Sequence, residues 1–427
     1  MRLSTSTTET TMDLDAVDLV DPLLQRDGDP HAIWRYMRQH DPVRWHQGDG
    51  ETGFWSITKF DDADFVLRDH AVFTSQRGTL LNLLGKDDPA GGKQMAATDP
   101  PRHTRMREPL QRVLANKNVE QYRGRIERQI TKILLPGAGG ETFDFAQAMI
   151  KLPMAVIGTM MALPERDWDR LAYLTMAAVC NDDQEYVGPQ GPQATLENAH
   201  RELFSYFQDM VTARRSAPGD DLISTLLTMD VEGSRLSLGE VLSNCYSLLL
   251  GANVTTPFVP IAAMSRILAD PELARTWASD RRFLATGTEE ALRWASPANH
   301  FMRYAVRDVE IRGRAIRSGD AVVVWLGSAN RDEEAFDRSF EFDISRRPNR
   351  HVAFGIGPHY CIGHTVARLS LHLLFAELLG TYCDFEQQGE PEHLTSNFVA
   401  GVKHLPMSMR VRPDAAGRSA GKERVEA

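Results

Sequence analysis

One loop constrains this chain more than any other segment. Residues 352–363 have the sequence VAFGIGPHYCIG and run directly into an apolar helical pattern at 365–379. The three glycines let the main chain turn and approach a neighbour closely, and the helix start that follows would stabilise a thiolate at Cys361. A thiolate placed in this way can hold a metal. The alternative is a buried structural cysteine.

Two other kinds of site fit this loop less well. A zinc site built from His359, Cys361 and His364 lacks the CxxC-type pair that structural zinc usually needs. A dinucleotide-binding loop is also disfavoured, because Gly355 and Gly357 are followed by Tyr360 where the third glycine of that motif belongs.

The composition excludes several classes of protein. The 427 residues include 48 Lys plus Arg against 58 Asp plus Glu, a net charge of −10, which disfavours nucleic-acid binding through a broad basic surface. No stretch reaches the roughly 18 uninterrupted apolar residues of a membrane span, so no membrane partner is expected. The four cysteines lie far apart without a CxxC pair, which predicts a cytoplasmic protein in a reducing environment.

The chain is expected to form one large domain, because neither a linker nor an internal repeat interrupts it. Composition predicts a disordered leader at 1–13, a folded domain at 14–412 and a disordered tail at 413–427. Helical periodicity dominates and strand signals are few, so the fold is predicted to be mostly α with small β-sheets. The predicted helices span 102–114, 149–161, 168–179, 199–214, 238–250, 260–268, 282–295 and 365–379. The predicted strands span 54–57, 309–311 and 321–325.

Several motifs resemble the cytochrome P-450 family of haem-thiolate monooxygenases. The string FGIGPHYCIG at 354–363 is similar to that family's haem-binding loop, F-G-x-G-x-H-x-C-x-G. Further similarities occur in the family's order: DPPRHTRMR at 99–107, EALR at 290–293, SANRD at 328–332, FDISR at 342–346 and SNFVAG at 396–401. The resemblance implies the cytochrome P-450 fold, a single large domain that encloses haem b.

The resemblance also implies how the haem is held. Cys361 would be the thiolate ligand of the iron, with Phe354 packed beside the sulfur and Gly355 in the same loop. Haem propionates need cationic or donor partners where they are buried. The residues that match the family's propionate-binding positions are His103, Arg107, Arg303 and His359.

A second group of charged residues has a structural role in the family. Glu290 and Arg293 match a buried ion pair, and Arg346 matches the arginine that joins it. This cluster would lock the long segment that precedes the cysteine loop. Loss of one partner would leave a buried charge without a counterion.

The segment GANVTT at 251–256 is similar to the family's oxygen-activating helix. The match makes Thr255 the threonine that positions dioxygen and a water for proton delivery. Val254 stands where the family carries a carboxylate, so the proton would have to come through Asn253 or substrate-ordered water. Pro257 and Pro260 remove two backbone N–H groups and predict a kink beside Thr255.

The substrate side is implied by the segment after Arg293 and by the closing turn near 396–401. The candidate substrate residues are Asn299, His300, Phe398 and Val399. The apolar neighbours would suit a terpene or a steroid, whereas Asn299 and His300 would bind a polar group of the substrate. The alternative is that Asn299 and His300 cap the end of a helix and satisfy backbone groups.

The resemblance implies a monooxygenase that activates dioxygen at Cys361-ligated iron and hydroxylates or epoxidises a small organic molecule. Specialised-metabolite biosynthesis of the antibiotic type is the expected setting, with the substrate free or tethered to a carrier protein. The alternatives are a peroxide-driven or atypical haem-thiolate oxidase, and a non-catalytic haem protein that senses a gas or docks a partner.

The expected electron donors are ferredoxin and ferredoxin reductase, as separate proteins. Residues 344–376 contain no Asp or Glu but include Arg346, Arg347, Arg350 and Arg368. Such a stretch would offer an acidic ferredoxin a positive surface. The alternative is that these arginines are occupied by haem propionates and by the buried ion-pair cluster.

Overall fold

The computed structural model describes residues 12–48 and 52–413. The predicted leader and tail lie outside the described residues, except for Met12, Asp13 and Pro413. The α-helices of the described residues are α1 Pro22–Asp27, α2 Pro30–His40, α3 Phe60–Arg68, α4 Arg102–Val113, α5 Asn116–Val119, α6 Arg123–Leu134, α7 Phe145–Met160, α8 Trp168–Ala177, α9 Pro192–Ser216, α10 Leu222–Thr228, α11 Leu238–Asn253, α12 Phe258–Ala269, α13 Pro271–Ser279, α14 Arg281–Ala295, α15 Leu326–Ala329 and α16 His364–Thr381.

The strands are short and scattered among the helices. They are β1 Val43–Gln47, β2 Gly53–Ile57, β3 Phe73–Thr74, β4 Phe143–Asp144, β5 Asp230–Val231, β6 Ser234–Arg235, β7 His300–Ala305, β8 Val309–Ile311, β9 Arg314–Ile316, β10 Ala321–Trp325, β11 Tyr382–Gln387, β12 Glu392–His393, β13 Val402–His404 and β14 Pro406–Val411. All the predicted helices and strands are present, so the prediction of a mostly α fold with small β-sheets is confirmed.

Local end signals explain where the helices differ from prediction. Helix α9 begins seven residues earlier than the periodicity indicates, because Pro192 occupies its first turn, where a missing N–H costs nothing. Helix α7 begins four residues earlier, because the Asp144 side chain caps it by accepting from the Gln147 N–H. Helix α11 starts with a capping box in which Ser237 and Glu240 satisfy each other's backbone N–H groups.

The largest sheet has the strand order β1-β2-β10-β7-β3. Strand β10 is parallel to β2, and the other neighbours are antiparallel. Helix α2 covers one face through Trp34, whose ring centroid lies 5.4 Å from that of Trp325. This sheet matters for function because β7 carries Phe301 and Arg303 to the wall of the central cavity.

The main core lies among the helices, where α11 packs on α7 and α9, and α12 packs on α7 and α14. Residues Leu238–Ala269, which contain α11 and α12, are long and apolar enough to span a membrane by length and composition. However, 56% of the apolar 18-residue segment of this stretch is buried inside the protein. Its composition is that of a central core helix in a single domain.

The predicted kink beside Thr255 is confirmed as a complete break between α11 and α12. The regular pattern ends where the Val254 N–H donates to the Leu250 carbonyl over 3.1 Å. It resumes as a tight turn in which the Phe258 N–H donates to the Thr255 carbonyl over 3.2 Å. Pro257 has no N–H to offer the carbonyl four residues before it, which is the physical reason for the break.

Candidate functional site

A cavity of about 360 Å³ lies between the α11–α12 break and the cysteine loop. Its walls are mostly apolar and come from sequence-distant segments: α4, α7, α11, α12, β7, the cysteine loop and the turn at Phe398. Cys361 lies on one wall, and Thr255 and Thr256 lie on the wall formed by the helix break. The sequence motifs that are far apart along the chain therefore meet at one cavity.

The cysteine loop is held by its own backbone. The Cys361 N–H donates to the Phe354 carbonyl over 2.8 Å, and Gly355 and Gly357 adopt positive φ angles of 69° and 72°. A Cβ at Gly357 would lie 2.8 Å from the Cα of Arg68 on α3. Glycine is therefore required both for the turn and for the close approach of α3.

The Cys361 thiol is tuned by several groups around it. Burial raises its pKa, while a hydrogen bond from the Gly363 N–H and the charges of Arg107 and Arg368 act in the opposite direction. The predicted packing of Phe354 beside the sulfur is consistent with the structure, where both line the cavity. The Phe354 ring also lies 4.7 Å from the Arg368 guanidinium, which is fixed by Glu289.

Four basic side chains that the sequence pointed to converge on the cavity: His103, Arg107, Arg303 and His359. We call this group the cavity cluster. The rings of His103 and His359 lie 4.3 Å apart between centroids. No Asp or Glu side chain of the described residues lines the cavity beside them.

The cavity cluster is poor in hydrogen-bond partners. His103 is 2% exposed, and neither of its ring nitrogens has a partner in the described structure. Arg303 donates to the neighbouring Met302 carbonyl over 2.8 Å, and Arg107 donates to the Tyr360 carbonyl. Burial lowers the pKa of His103 to about 4 and that of Arg303 to about 10. Buried donors of this kind fit a ligand that brings anionic oxygens.

These residues fit haem b. The orphaned nitrogens of His103 and the guanidinium groups of Arg107 and Arg303 would hold the propionates, and the Cys361 sulfur would ligate the iron. Ser75, which the motifs did not reveal, orients His359 through a 3.1 Å hydrogen bond to its Nε2. When bound there, the haem supplies an iron whose thiolate ligation favours cleavage of the O–O bond of dioxygen.

A second buried group, here called the meander cluster, consists of Glu290, Arg293 and Arg346. The Glu290 carboxylate accepts from the Arg293 Nε and Nη2 over 2.8 Å each and from the Arg346 Nε over 3.1 Å. The side chains of Glu290 and Arg293 have no exposed surface, and that of Arg346 is 6% exposed. Both arginines also donate to backbone carbonyls of residues 330–341, which they hold in place.

Asn330 links this scaffold to the cysteine loop. It is fully buried; its Nδ2 donates to the Ser296 Oγ over 2.7 Å, and its Oδ1 accepts from the Val352 N–H over 2.7 Å. Val352 is the first residue of the cysteine loop segment. The SANRD motif contained this residue, but its sequence alone did not show the role of the amide.

Thr255 and Asn253 lie in different surroundings. Thr255 lines the cavity, and its Oγ1 donates to the Gly251 carbonyl over 3.1 Å. Asn253 is 2% exposed and is absent from the cavity wall, and its Nδ2 points to the Met154 Sδ over 3.4 Å. We therefore do not assign proton delivery to Asn253. Asn253 is the last residue of α11, whereas Thr255 lies in the break that follows it.

Of the predicted substrate residues, Phe398 lines the cavity and the other three do not. Asn299 donates through Nδ2 to the Asn397 carbonyl over 3.1 Å. His300 accepts at Nε2 from the Leu81 N–H over 3.1 Å, and burial lowers its pKa to about 3. Val399 is fully buried in the core. The structure favours the alternative in which Asn299 and His300 satisfy backbone groups.

The fold and the site together define a haem-thiolate protein, because a half-buried cysteine, a basic cluster without anionic partners on the described cavity wall and a broken helix surround one apolar cavity. The sequence also matches the Cytochrome P450 family over residues 278–408. Cytochrome P450 NovI from Streptomyces niveus is 32% identical over 408 residues, which cover 95% of this chain and 99% of that relative.

Solved structures of cytochrome P450 proteins have a similar fold. P450 OxyD, which is involved in the biosynthesis of vancomycin-type antibiotics, has a TM-score of 0.83 and 33% identity over 93% of this chain and 100% of its own. CYP268A2 from Mycobacterium marinum, in complex with pseudoionone, has a TM-score of 0.85 and 30% identity over the same shares of the two chains. The chain belongs to the cytochrome P450 family and is a haem b monooxygenase.

Proposed function

We propose that this enzyme hydroxylates or epoxidises an apolar small molecule in a specialised-metabolite pathway. The observation that carries the proposal is the composition of the cavity above Cys361. Its substrate side is formed by residues without charge, such as Leu80, Met95, Leu248 and Phe398. The relationship to P450 OxyD supports a biosynthetic setting, and the pseudoionone bound by the M. marinum relative supports an apolar substrate.

Different residues of the chain bind the substrate and transfer protons. The apolar walls exclude water and hold the substrate by burial of its surface. The Thr255 hydroxyl can rotate away from the Gly251 carbonyl to hold a water at the helix break. Val254 has no ionisable atom, so protons must pass through water in the break and through hydroxyl groups such as that of Thr255.

Ferredoxin and ferredoxin reductase are the proposed electron donors, and the cytoplasm is the proposed location. Within the acid-free stretch, Arg346 belongs to the meander cluster and Arg368 is bound to Glu289. Arg347 and Arg350 remain exposed for an acidic partner. A carrier-tethered form of the substrate is also part of the proposal. Reduction by ferredoxin should slow as salt rises.

The test is reconstitution of the haem-loaded protein with NADH, a surrogate ferredoxin and its reductase. We expect the carbon-monoxide complex of the reduced protein to show the red-shifted Soret band of thiolate ligation. Apolar terpenoids and steroids should give products that contain one added oxygen atom from dioxygen. Turnover with hydrogen peroxide but not with NADH would contradict the proposal and favour the peroxide-driven alternative; no product at all would favour the sensor.

The Thr255→Ala variant tests the role of the Thr255 hydroxyl directly. It should leave substrate binding within about twofold, because the methyl and hydroxyl groups contribute little apolar contact. Product formed per NADH should fall by about tenfold or more, because the hydroxyl that orders water is lost. The matched control is Thr131→Ala, since the Thr131 hydroxyl also bonds a carbonyl four residues back but lies on the exposed side of α6. Unchanged coupling in Thr255→Ala would refute the role of this hydroxyl.

A further inference from the structure

Residues 75–101, here called the roof loop, connect β3 to α4 and cover one side of the cavity. Two separate arms of the loop reach the cavity wall. Thr79 and Leu80 come from the first arm, and Gln94, Met95 and Ala96 come from the second. The position of these five residues sets the shape of the space in which a substrate lies.

The first arm is attached to the sheet. The Leu81 N–H donates to His300 Nε2 over 3.1 Å, and the Met302 N–H donates to the Thr79 carbonyl over 2.8 Å. The Gly85 N–H donates to the Tyr304 hydroxyl over 3.2 Å. These partners all lie on β7, so the first arm follows the sheet.

The second arm is attached to α11 through the side chain of Asn244. Asn244 Oδ1 accepts from the Met95 N–H over 2.9 Å, and its Nδ2 donates to the Lys93 carbonyl over 3.1 Å. The same Nδ2 donates to the Glu240 carbonyl of its own helix over 2.8 Å, which fixes the orientation of the amide. Asn244 is 2% exposed, so water does not replace these bonds.

A neighbouring contact strengthens this attachment. Gln94 Nε2 donates to the Ser243 carbonyl over 3.1 Å and to the Ser243 Oγ over 3.3 Å. Asn244 itself is outside the cavity wall, whereas Ser247, Leu248 and Gly251 line it. These residues follow Asn244 at spacings of three, four and seven, so they share one helix face with it.

We propose that Asn244 is a positioning residue that determines substrate selectivity by holding residues 93–96 of the roof loop against α11. The amide acts through the loop and contacts no substrate. Because α11 also leads to Thr255, Asn244 fixes the distance between the roof and the oxygen-activating wall. The role in selectivity rests on the proposed function, while the holding of the roof is testable without turnover.

The experiment uses the haem-loaded protein and two azoles that bind haem iron, imidazole and 4-phenylimidazole. In Asn244→Ala the second arm of the roof loop is no longer tied to α11, so binding of the phenyl ring has to order it. The dissociation constant of 4-phenylimidazole should therefore rise about tenfold. The constant for imidazole, which is too small to need the roof, should stay within about twofold. Hydrogen exchange of the Met95 amide should accelerate about tenfold, because its acceptor is gone.

Two further variants keep the test decisive. Asn244→Asp keeps an acceptor for the Met95 N–H but turns its second oxygen toward the Lys93 and Glu240 carbonyls, which repel it, so 4-phenylimidazole should bind at least as weakly as to Asn244→Ala. This variant replaces Asn244→Ala if Asn244→Ala does not load haem. Asn118→Ala removes an exposed amide bond to the Arg112 carbonyl, outside the roof loop, and should change the dissociation constant of neither azole.

The proposal would be overturned if Asn244→Ala raised the dissociation constants of both azoles equally. It would also be overturned if neither of these constants nor the Met95 exchange rate changed. With a substrate in hand, the ratio of oxidised products should also shift in Asn244→Ala. If no substrate is turned over, the azole and exchange measurements still decide whether Asn244 holds the roof, so failure of the proposed function is distinguishable from failure of this inference.

Discussion

The meander cluster and the cavity cluster are both buried and rich in arginine, yet they are satisfied in opposite ways. In the meander cluster, Glu290 neutralises the two arginines, and carbonyls of residues 330–341 accept their remaining N–H groups. In the cavity cluster, His103 has no hydrogen-bond partner and no carboxylate of the described residues lines the wall.

The difference shows which buried charges belong to the scaffold and which belong to the ligand. A buried group costs free energy unless it is paired, so a folded chain normally supplies the partner itself. Where it does not, the partner comes from outside. The meander cluster therefore holds the protein together, and the haem propionates would complete the cavity cluster.

The largest effect is expected from breaking the meander cluster. Glu290→Ala leaves Arg293 and Arg346 buried without their counterion and should reduce the free energy of unfolding by about 3–5 kcal/mol. The purified variant should contain no haem, because residues 330–341 and the attached cysteine loop lose their anchor. Urea unfolding and haem content are the measurements.

The chain contains a matched control for this variant. Glu272 and Arg275 have the same i,i+3 spacing, but their side chains are 64% and 70% exposed. Glu272→Ala should cost less than about 1 kcal/mol and leave haem content normal. Normal haem occupancy in Glu290→Ala would show that the meander cluster is not needed to form the haem site.

An intermediate effect is expected in the cavity cluster. His103→Leu would remove a donor to a propionate. Because a hydrogen bond to a charged group contributes about 1.5–3 kcal/mol, transfer of haem from the variant to apomyoglobin should accelerate about tenfold or more. The haem-free protein should be no less stable than the parent, because an unpartnered ring has been replaced by an apolar side chain.

The control for His103→Leu is another histidine with an orphaned nitrogen. His372 Nε2 also has no partner among the described residues, but His372 does not line the cavity. His372→Leu should therefore leave haem transfer unchanged. If His103→Leu destabilised the haem-free protein and left haem transfer unchanged, the contrast between the two clusters would fail.

The smallest effect is expected at a third, partly exposed cluster. His404 lies between Asp144 and Glu185, at 2.6 and 3.0 Å, with Glu392 nearby. Burial opposes the charged ring, but the hydrogen bond to Asp144 and the charge of Glu185 outweigh it and raise the pKa of His404 above 6.5. The protonated ring links the loop after α8 to β13.

The sign of the pH dependence follows from this raised pKa. The contribution of His404 is complete below the pKa of the unfolded chain and is lost as pH rises through the folded pKa. The parent should exceed His404→Gln in stability by less than about 1 kcal/mol at pH 6, and the difference should vanish by pH 9. Thermal melts at both values measure it.

His200→Gln is the control for this pH effect. Burial lowers the pKa of His200, so protonation of this ring disfavours the folded state. The stability of the parent relative to this variant should therefore rise, not fall, from pH 6 to pH 9. A His404→Gln difference that grew with pH would contradict the assigned sign.

Sequence reasoning identified the elements and the site better than it identified which side chains act. The cysteine loop, the break beside Thr255 and the Glu290 and Arg293 pair follow from local spacing and from motifs. Asn253 and His300 were expected in catalysis or substrate binding, but they are bonded elsewhere. Asn244 was missed because a polar residue on an otherwise apolar helix does not reveal the distant amide that it binds.

The sequence by itself determined the local structures: glycines that turn the cysteine loop, prolines that end α11, and periodic apolar residues that form the helices. Their causes lie within a few residues, so they are visible in the chain. Only the tertiary structure decided which polar groups find partners. That question depends on contacts such as Asn244 with Met95 or Asn330 with Val352, which join residues far apart in sequence. The groups of the cavity cluster that lack partners, where the haem propionates would lie, are defined only by the tertiary contacts that satisfy the other buried polar groups.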